Sequence, residues 1–321
     1  MRIRTNMHDD PLSHLLRLAQ IESVVSGGFS TGGQWAMRFP APDKVKFFVA
    51  IRGSCCFHFD DDPQPLHLAS GDVVLLAAPR GFIVGNHATE HPTPAREAFA
   101  GRPGAIVHVG SKTEQEQMFL GGHVRLASTY GHLLSEALPP YIHVQSRTNL
   151  PQATALSWVL DQLVHEHEAL PGAGLARSQL AHLLFVQVLR AHLAAGGTLP
   201  AGWLRAATDA RLAPALRGMH EAPQHPWRLQ ELAQRCAMSR TRFAALFREV
   251  AGQTPLAYLT AWRMQLAARA LDEENASVAQ LAQQLGYGSE SAFSHAFKRA
   301  TGKSPRHYAR ALNGQGVASS A

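Results

Sequence analysis

The 321-residue chain is 45% hydrophobic and 17% charged, the balance of a soluble globular protein with room for about two domains. No apolar run approaches the ~18 residues of a membrane span, and residues 1–10 are polar without an apolar signal core, so a cytoplasmic protein with no membrane partner is expected. The net charge of +6 lies at the C-terminal end: residues 1–150 hold 13 Lys/Arg and 13 Asp/Glu, residues 151–210 hold 3 and 4, and residues 211–321 hold 14 and 7. Such asymmetry points to a polyanionic partner at one end of the chain.

In chain order, Asp10-Pro11 ahead of Leu12, Leu15, Leu16 and Leu18 has the cap and first-turn chemistry of a short amphipathic helix. From about Ser30 to Val109, short apolar runs (Lys46–Ile51, Cys55–Phe59, Val73–Leu76, Ala105–Val109) alternate with Gly, Pro and Asp clusters. This spacing predicts several short strands in an antiparallel sandwich or barrel. A polar connection over 110–151 leads to two apolar helical stripes. One is Leu156, Val159, Leu160, Leu163 and Val164; the other is Leu180, Leu183, Leu184, Val188 and Leu189. Pro171-Gly172-Ala173-Gly174 separates them. This hairpin has apolar surface enough for a homodimer contact or for packing on the sheet domain. Residues 194–200 (AAGGTLP) read as a flexible link, residues beyond Asp209 as helical to about Leu312, and residues 313–321 as a disordered tail.

The C-terminal region contains an internal repeat. LQELAQRCAMSRTRFAALFREVAGQTPLAY (229–258) matches VAQLAQQLGYGSESAFSHAFKRATGKSPRHY (278–308) at an offset of 49 before a turn and 50 after it. Each copy has the parts of a helix-turn-helix. A first helix carries small and apolar residues inward, and a tight turn (Ala237-Met238; Gly286-Tyr287-Gly288) leads to a capping serine (Ser239; Ser289). A second helix follows with Phe at i and i+4 (Phe243 and Phe247; Phe293 and Phe297), closed by Gly252 or Gly302. The second helix of such a unit enters the DNA major groove, and two units about 34 Å apart read consecutive grooves. Pro255–Leu271 between them is the expected strut.

These residues resemble the AraC/XylS family of transcription regulators, most closely in GYGSESAFSHAFKRATGKSPRHYAR (286–310). DPLSHLLRL (10–18), RFPAPD (38–43) and LHLASGDVVLLAAPRG (66–81) resemble the cupin-like ligand-binding domain found in a subset of these regulators. The resemblance implies an α+β multidomain chain: a cupin-like sensor over 1–150, a helical linker and dimerisation hairpin over 151–208, and a DNA-binding domain over 209–312. It also implies an activator that works with RNA polymerase as a homodimer under an unknown small-molecule effector, not an enzyme, with no cofactor. Carried over residue by residue, it implies base-facing roles for Arg240, Thr241, Ala244 and Ala245 in the first copy and for Glu290, Ser291, Ser294 and His295 in the second. Arg242 and Arg248 are further candidates to read bases, and Lys298, Arg299, Lys303 and Arg306 are candidates to hold phosphates.

A cupin metalloenzyme or metal-dependent binder is the reading from a different class. Where regulators of this subset often keep histidines, this chain has Phe47-Phe48-Val49 and Phe82-Ile83-Val84, and His58, His67, His87 and His91 lie in separate segments. Phe47, Phe48, Phe82 and Ile83 are therefore candidates for an apolar effector pocket, or for core. Cys55 and Cys56 suggest an oxidant sensor as a third reading. Neighbours on a strand face opposite ways, though, so a disulfide there would need another chain or Cys236. Three cysteines without C-x-x-C spacing also argue against a disulfide framework or ribbon-type zinc site.

Overall fold

A computed structural model describes residues 10–18, 22–87, 91–101, 106–111, 116–125, 136–146, 151–166, 171–273 and 277–309. The described residues form two compact units, one within 20–200 and one from 201 onward together with helix α1 (Pro11–Leu18). The tail expected over 313–321 lies outside the described residues.

The first unit is a two-sheet sandwich. Its strands are β1 (Glu22–Gly32), β2 (Ala36–Phe39), β3 (Val45–Arg52), β4 (Cys55–Phe59), β5 (Leu66–Leu68), β6 (Val73–Leu76), β7 (Phe82–Gly85), β8 (Thr93–Pro94), β9 (Ile106–Gly110), β10 (Gln117–Arg125) and β11 (Tyr141–Val144). One sheet has the order β11-β6-β3-β10-β1-β9 and the other β5-β4-β7-β2-β8. The pairing is antiparallel, as the short turn-bounded runs predict, with two exceptions: β9 lies parallel to β1 and β8 parallel to β2. These two strands reach the sheets through long connections rather than hairpins, and a short helix α2 (Ala95–Ala98) joins them, so parallel pairing is open to them. Rings from both sheets fill the space between: Phe48 of β3 meets Phe57 of β4 edge-on at 4.9 Å, and Phe29 stacks on Phe119 at 5.1 Å.

One buried carboxylate ties down the end of this sandwich. Asp72, 4% exposed just before β6, accepts hydrogen bonds from the Ala69 and Ser146 amides and from His143 Nε2 of β11. Burial works against its charge, but these donors outweigh it and hold the carboxyl below its ordinary pKa.

The expected helical hairpin is present as α3 (Pro151–His165) and α4 (Ala173–Ala194). Leu156, Val159, Leu160 and Leu163 of α3 and Leu184, Val188 and Leu189 of α4 are buried, while Leu180 and Leu183 are half-buried. After α4, His192 Nε2 bonds the Thr198 carbonyl, Gly197 lies against the His192 ring and Leu199 is buried, while Ala194, Ala195, Gly196, Thr198 and Pro200 are exposed.

In the second unit, Asp10 caps α1 by accepting from the Ser13 amide and hydroxyl, and Leu16 is buried. The other helices are α5 (Trp203–Thr208), α6 (Ala213–Glu221), α7 (Leu229–Arg235), α8 (Arg240–Ala251), α9 (Pro255–Glu273), α10 (Val278–Gln284) and α11 (Glu290–Thr301); residues 305–309 are helical as well. Helix α5, which falls within the linker expected over 151–208, packs here: Ala206 and Ala207 enter the unit's two hydrophobic clusters. Alanines add little to an apolar stripe, so the sequence pattern does not show this. The strut α9 belongs to both clusters. Tyr258 and Leu259 join the one around Phe243 and Phe247, whereas Trp262, Leu266, Ala267 and Leu271 join the one around Phe293 and Phe297.

Candidate nucleic-acid interface

The two repeats fold alike down to single hydrogen bonds. Ser239 Oγ accepts from the Arg242 amide at 3.3 Å and Ser289 Oγ from the Ala292 amide at 3.1 Å, starting α8 and α11 at matching positions. Phe243, Phe247, Phe293 and Phe297 are fully buried. Tyr258 meets Phe247 edge-on at 5.6 Å, and Tyr308 meets Phe297 edge-on at 5.4 Å. Gly252 (φ 70°) and Gly302 (φ 75°) end the helices in the left-handed conformation, and their amides bond the carbonyls of Arg248 and Lys298. Thr254 and Ser304 then cap the next helices.

With the aromatic faces committed to the core, the opposite faces are open. On α8, Arg240, Thr241, Arg242, Ala245 and Arg248 are exposed and Ala244 is half-buried. On α11, Glu290, Ser291, His295, Lys298 and Arg299 are exposed and Ser294 is half-buried. Lys303 and Arg306 are exposed beyond it. The fold thus gathers each copy's expected DNA residues on one helix face with its following loop. It also adds a contact that spacing did not show. Arg306 reaches back to Glu290 at 3.4 Å, so one candidate phosphate holder is paired with one candidate base reader.

Arg263 of α9 is another residue that sequence reasoning passed over. It sits mid-strut and half-buried, where an arginine in a helical pattern reads as an ordinary surface charge. Its Nε donates to the Pro223 carbonyl at 2.6 Å and its Nη2 to the His225 carbonyl at 3.0 Å. Its guanidinium lies 5.7 Å from the Tyr287 ring centre. Burial pulls its pKa down and Tyr287 offsets part of that shift.

The sandwich unit contains a cavity of about 340 Å³ that Phe47, Phe48 and Phe82 help to line. Ile83, the fourth residue expected there, is not part of the lining. Alternation along β7 sends its side chain to the opposite face from Phe82, across from Arg38 and His58. The room comes from paired glycines. Gly27 stands opposite Gly121 across a register shift in β1, where a Cβ at Gly121 would meet only the Phe47 carbonyl, and Gly28 and Gly122 also border the cavity. Two cations also line this aromatic space, Lys46 and Arg96. Burial lowers the Lys46 pKa, and Asp43 only partly offsets it.

A second cavity, of about 490 Å³, is bordered by Cys55, Cys56 and His67. Cys56 Sγ lies 3.1 Å from His67 Nδ1, but burial raises the pKa of both Cys55 and Cys56, which favours thiol over thiolate. Cys236 is half-buried at the end of α7, its thiol also raised by burial. Among the described residues, no group of three His, Cys, Asp or Glu side chains is placed to hold a metal ion. Among those residues, too, no helix is long and apolar enough to cross a membrane.

Two helix-turn-helix copies with open, cation-bearing faces, in a chain that also holds a β-sandwich, define a DNA-binding protein. A cupin family model matches residues 10–194, and a helix-turn-helix domain model matches residues 232–311. A putative AraC-like transcription regulator from Streptomyces antibioticus is 39% identical over 301 residues, spanning 93% of this chain and 98% of the relative. The HTH-type transcriptional regulator AlkR of Acinetobacter baylyi is 30% identical over 285 residues, spanning 87% and 92%. Among solved structures, the DNA-binding domain of AdpA in complex with a target DNA is 31% identical, covers 33% of this chain and 96% of that one, and has a TM-score of 0.32. The chain belongs to the AraC family of transcription regulators and combines a cupin domain with a paired helix-turn-helix domain.

Proposed function

We propose that this regulator reads a specific operator by laying α8 and α11 into consecutive major grooves. Arg240, Thr241, Ala244 and Ala245 face bases in one groove, and Ser291, Ser294 and His295 in the next. Arg242 and Arg248 add base or phosphate contacts, and Lys298, Arg299 and Lys303 hold phosphates. The observation that carries this reading is the duplicated geometry: two capped helices whose aromatic faces are buried and whose polar, largely cationic faces are open. Helix α9, 19 residues long, spans about 28 Å, a suitable strut once the width of each copy is added.

The cavity at Phe47, Phe48 and Phe82 takes the effector. Its chemistry fits a small molecule with an apolar, preferably aromatic body and a negative group between Lys46 and Arg96. The regulator works in the cytoplasm as an activator that contacts RNA polymerase. It does so as a homodimer, for which the exposed Trp158 and Leu175 on the α3–α4 hairpin offer apolar surface.

Selection of bound sites from random duplex DNA by the full-length protein, at two salt concentrations, tests the reading. The expected result is a motif with two elements about one helical turn apart. Salt-sensitive binding without a motif would reduce the role to non-specific DNA association, and no binding at either salt would overturn it.

A further inference from the structure

We propose that Arg263 fixes the separation and rotational phase of the two recognition helices, and so sets which operator spacing the protein accepts. The inference rests on the DNA-reading assignment above. Arg263 belongs to neither helix-turn-helix copy, yet it holds both. Its two hydrogen bonds go to the carbonyls of Pro223 and His225, in the segment leading into α7, the first helix of the first copy. That segment is firmly part of the first copy. Trp227 is buried in the Phe243–Phe247 cluster and meets His225 edge-on at 4.6 Å, and His225 Nε2 bonds Glu231 of α7.

On its other side the guanidinium faces Tyr287, whose ring centre lies 5.7 Å away and whose hydroxyl interacts with it electrostatically. Tyr287 sits in the turn of the second copy, its ring edge-on to Phe293 of α11 at 5.6 Å. A chain of contacts therefore runs from the entry of the first copy, through Arg263, to the recognition helix of the second. A separate contact supports the same closure. Gly286, in the same turn, comes so near the 222–228 segment that a Cβ there would overlap the Gln224 carbonyl oxygen.

The strut alone joins the copies through apolar packing, which is non-directional and tolerates small rotations. The arginine fork adds direction, because two carbonyls and one ring must be satisfied together. One base pair of B-DNA corresponds to about 34° of rotation and about 3.4 Å of advance, so a modest loosening of this joint admits a neighbouring spacing.

The test uses full-length protein and three duplexes: the selected operator, and the same two elements moved one base pair apart or together. Wild type should bind the altered spacings about tenfold or more worse, since the second element then loses much of its effective concentration. Arg263→Ala should bring that ratio to about threefold or less, chiefly by weakening the native spacing, while a duplex with one element scrambled binds as before. Arg263→Lys keeps the charge but not the fork and should fall between. Unchanged spacing discrimination in Arg263→Ala, or an equal loss on all duplexes, overturns the proposal. If Arg263→Ala does not fold, Tyr287→Phe keeps the ring and removes only its hydroxyl; it should relax discrimination partway, and a wild-type ratio from it counts against the proposal. A wild-type protein that selects no site fails the DNA-reading assignment itself, a result separable from any behaviour of the variants.

Discussion

Ala237 and Gly286 hold the same left-handed backbone, φ 53° and 77°, at the same point of the two helix-turn-helix turns. Among the described residues Ala237 is the only non-glycine with positive φ. Alanine in this conformation costs about 1–2 kcal/mol, and glycine's greater freedom in the unfolded chain costs about 0.5–1 kcal/mol, so Ala237→Gly should stabilise the helical unit by about 0.5–1 kcal/mol. A urea unfolding midpoint that moves up with an unchanged slope bears this out; a lower midpoint would show that the methyl group packs usefully. Gly286→Ala should be strongly destabilising, because its Cβ meets backbone oxygen.

Arg240 and Glu290 occupy the same first position of the two recognition helices but carry opposite charges. Arg240→Ala should weaken the selected operator by about 1–3 kcal/mol and relax one position. Equal loss on every sequence would instead make Arg240 a phosphate contact. Glu290→Gln removes a negative charge and releases Arg306, so affinity for all duplexes should rise and the salt slope steepen by about 1. Loss confined to one cytosine position would mean that Glu290 reads a base.

Filling the cavity should silence the sensor while leaving the sandwich folded. A Cβ at Gly121 meets only the Phe47 carbonyl, at 3.9 Å, so Gly121→Val adds bulk at the cavity wall without a backbone clash. The fluorescent apolar anion 8-anilino-1-naphthalenesulfonate should bind wild type and be weakened by both Gly121→Val and Lys46→Met. The lowered Lys46 pKa fixes the sign of the pH dependence: probe affinity should fall as pH rises into the alkaline range, where that amine loses its proton earlier than an exposed lysine does. Equal binding by all three proteins would remove this cavity as the site.

Asp72→Asn should destabilise the sandwich by about 1–3 kcal/mol at neutral pH, since an amide NH2 replaces an oxygen that accepts from a donor. The carboxyl is held below its ordinary pKa, so its contribution is complete above about pH 5, where the unfolded side chain is also fully ionised. It is lost as pH falls through the lower native value. The gap in melting temperature between wild type and Asp72→Asn should therefore narrow in acid; a constant gap would leave the loss to packing.

The parts legible in the sequence are those set by local chemistry. Ser239 and Ser289 as caps, Gly252 and Gly302 as stops and four phenylalanines as core all follow from spacing, and the structure repeats them in both copies. What stayed hidden depends on residues far apart in the chain. Lys46 and Arg96 meet at one cavity across 50 residues, and its emptiness comes from glycines on β1 and β10, nearly 100 residues apart. Arg263 looks like any helical arginine until the carbonyls at 223 and 225 are brought to it. Ile83 stands off the cavity lining, across from Arg38 and His58, and an apolar run does not show which face each of its residues takes.

Because α9 is shared between both hydrophobic clusters, its length matters as much as its composition. One residue inserted between Leu259 and Trp262 would turn everything downstream by about 100° and advance it by about 1.5 Å, enough to swing the face of α11 away from any groove that α8 occupies. Surface loops elsewhere in the chain can gain or lose residues at little cost. Here substitutions are open to drift, while insertions and deletions are closed to it. Homologues that alter operator spacing are therefore expected to do so by changing the joint around this helix rather than its residue count.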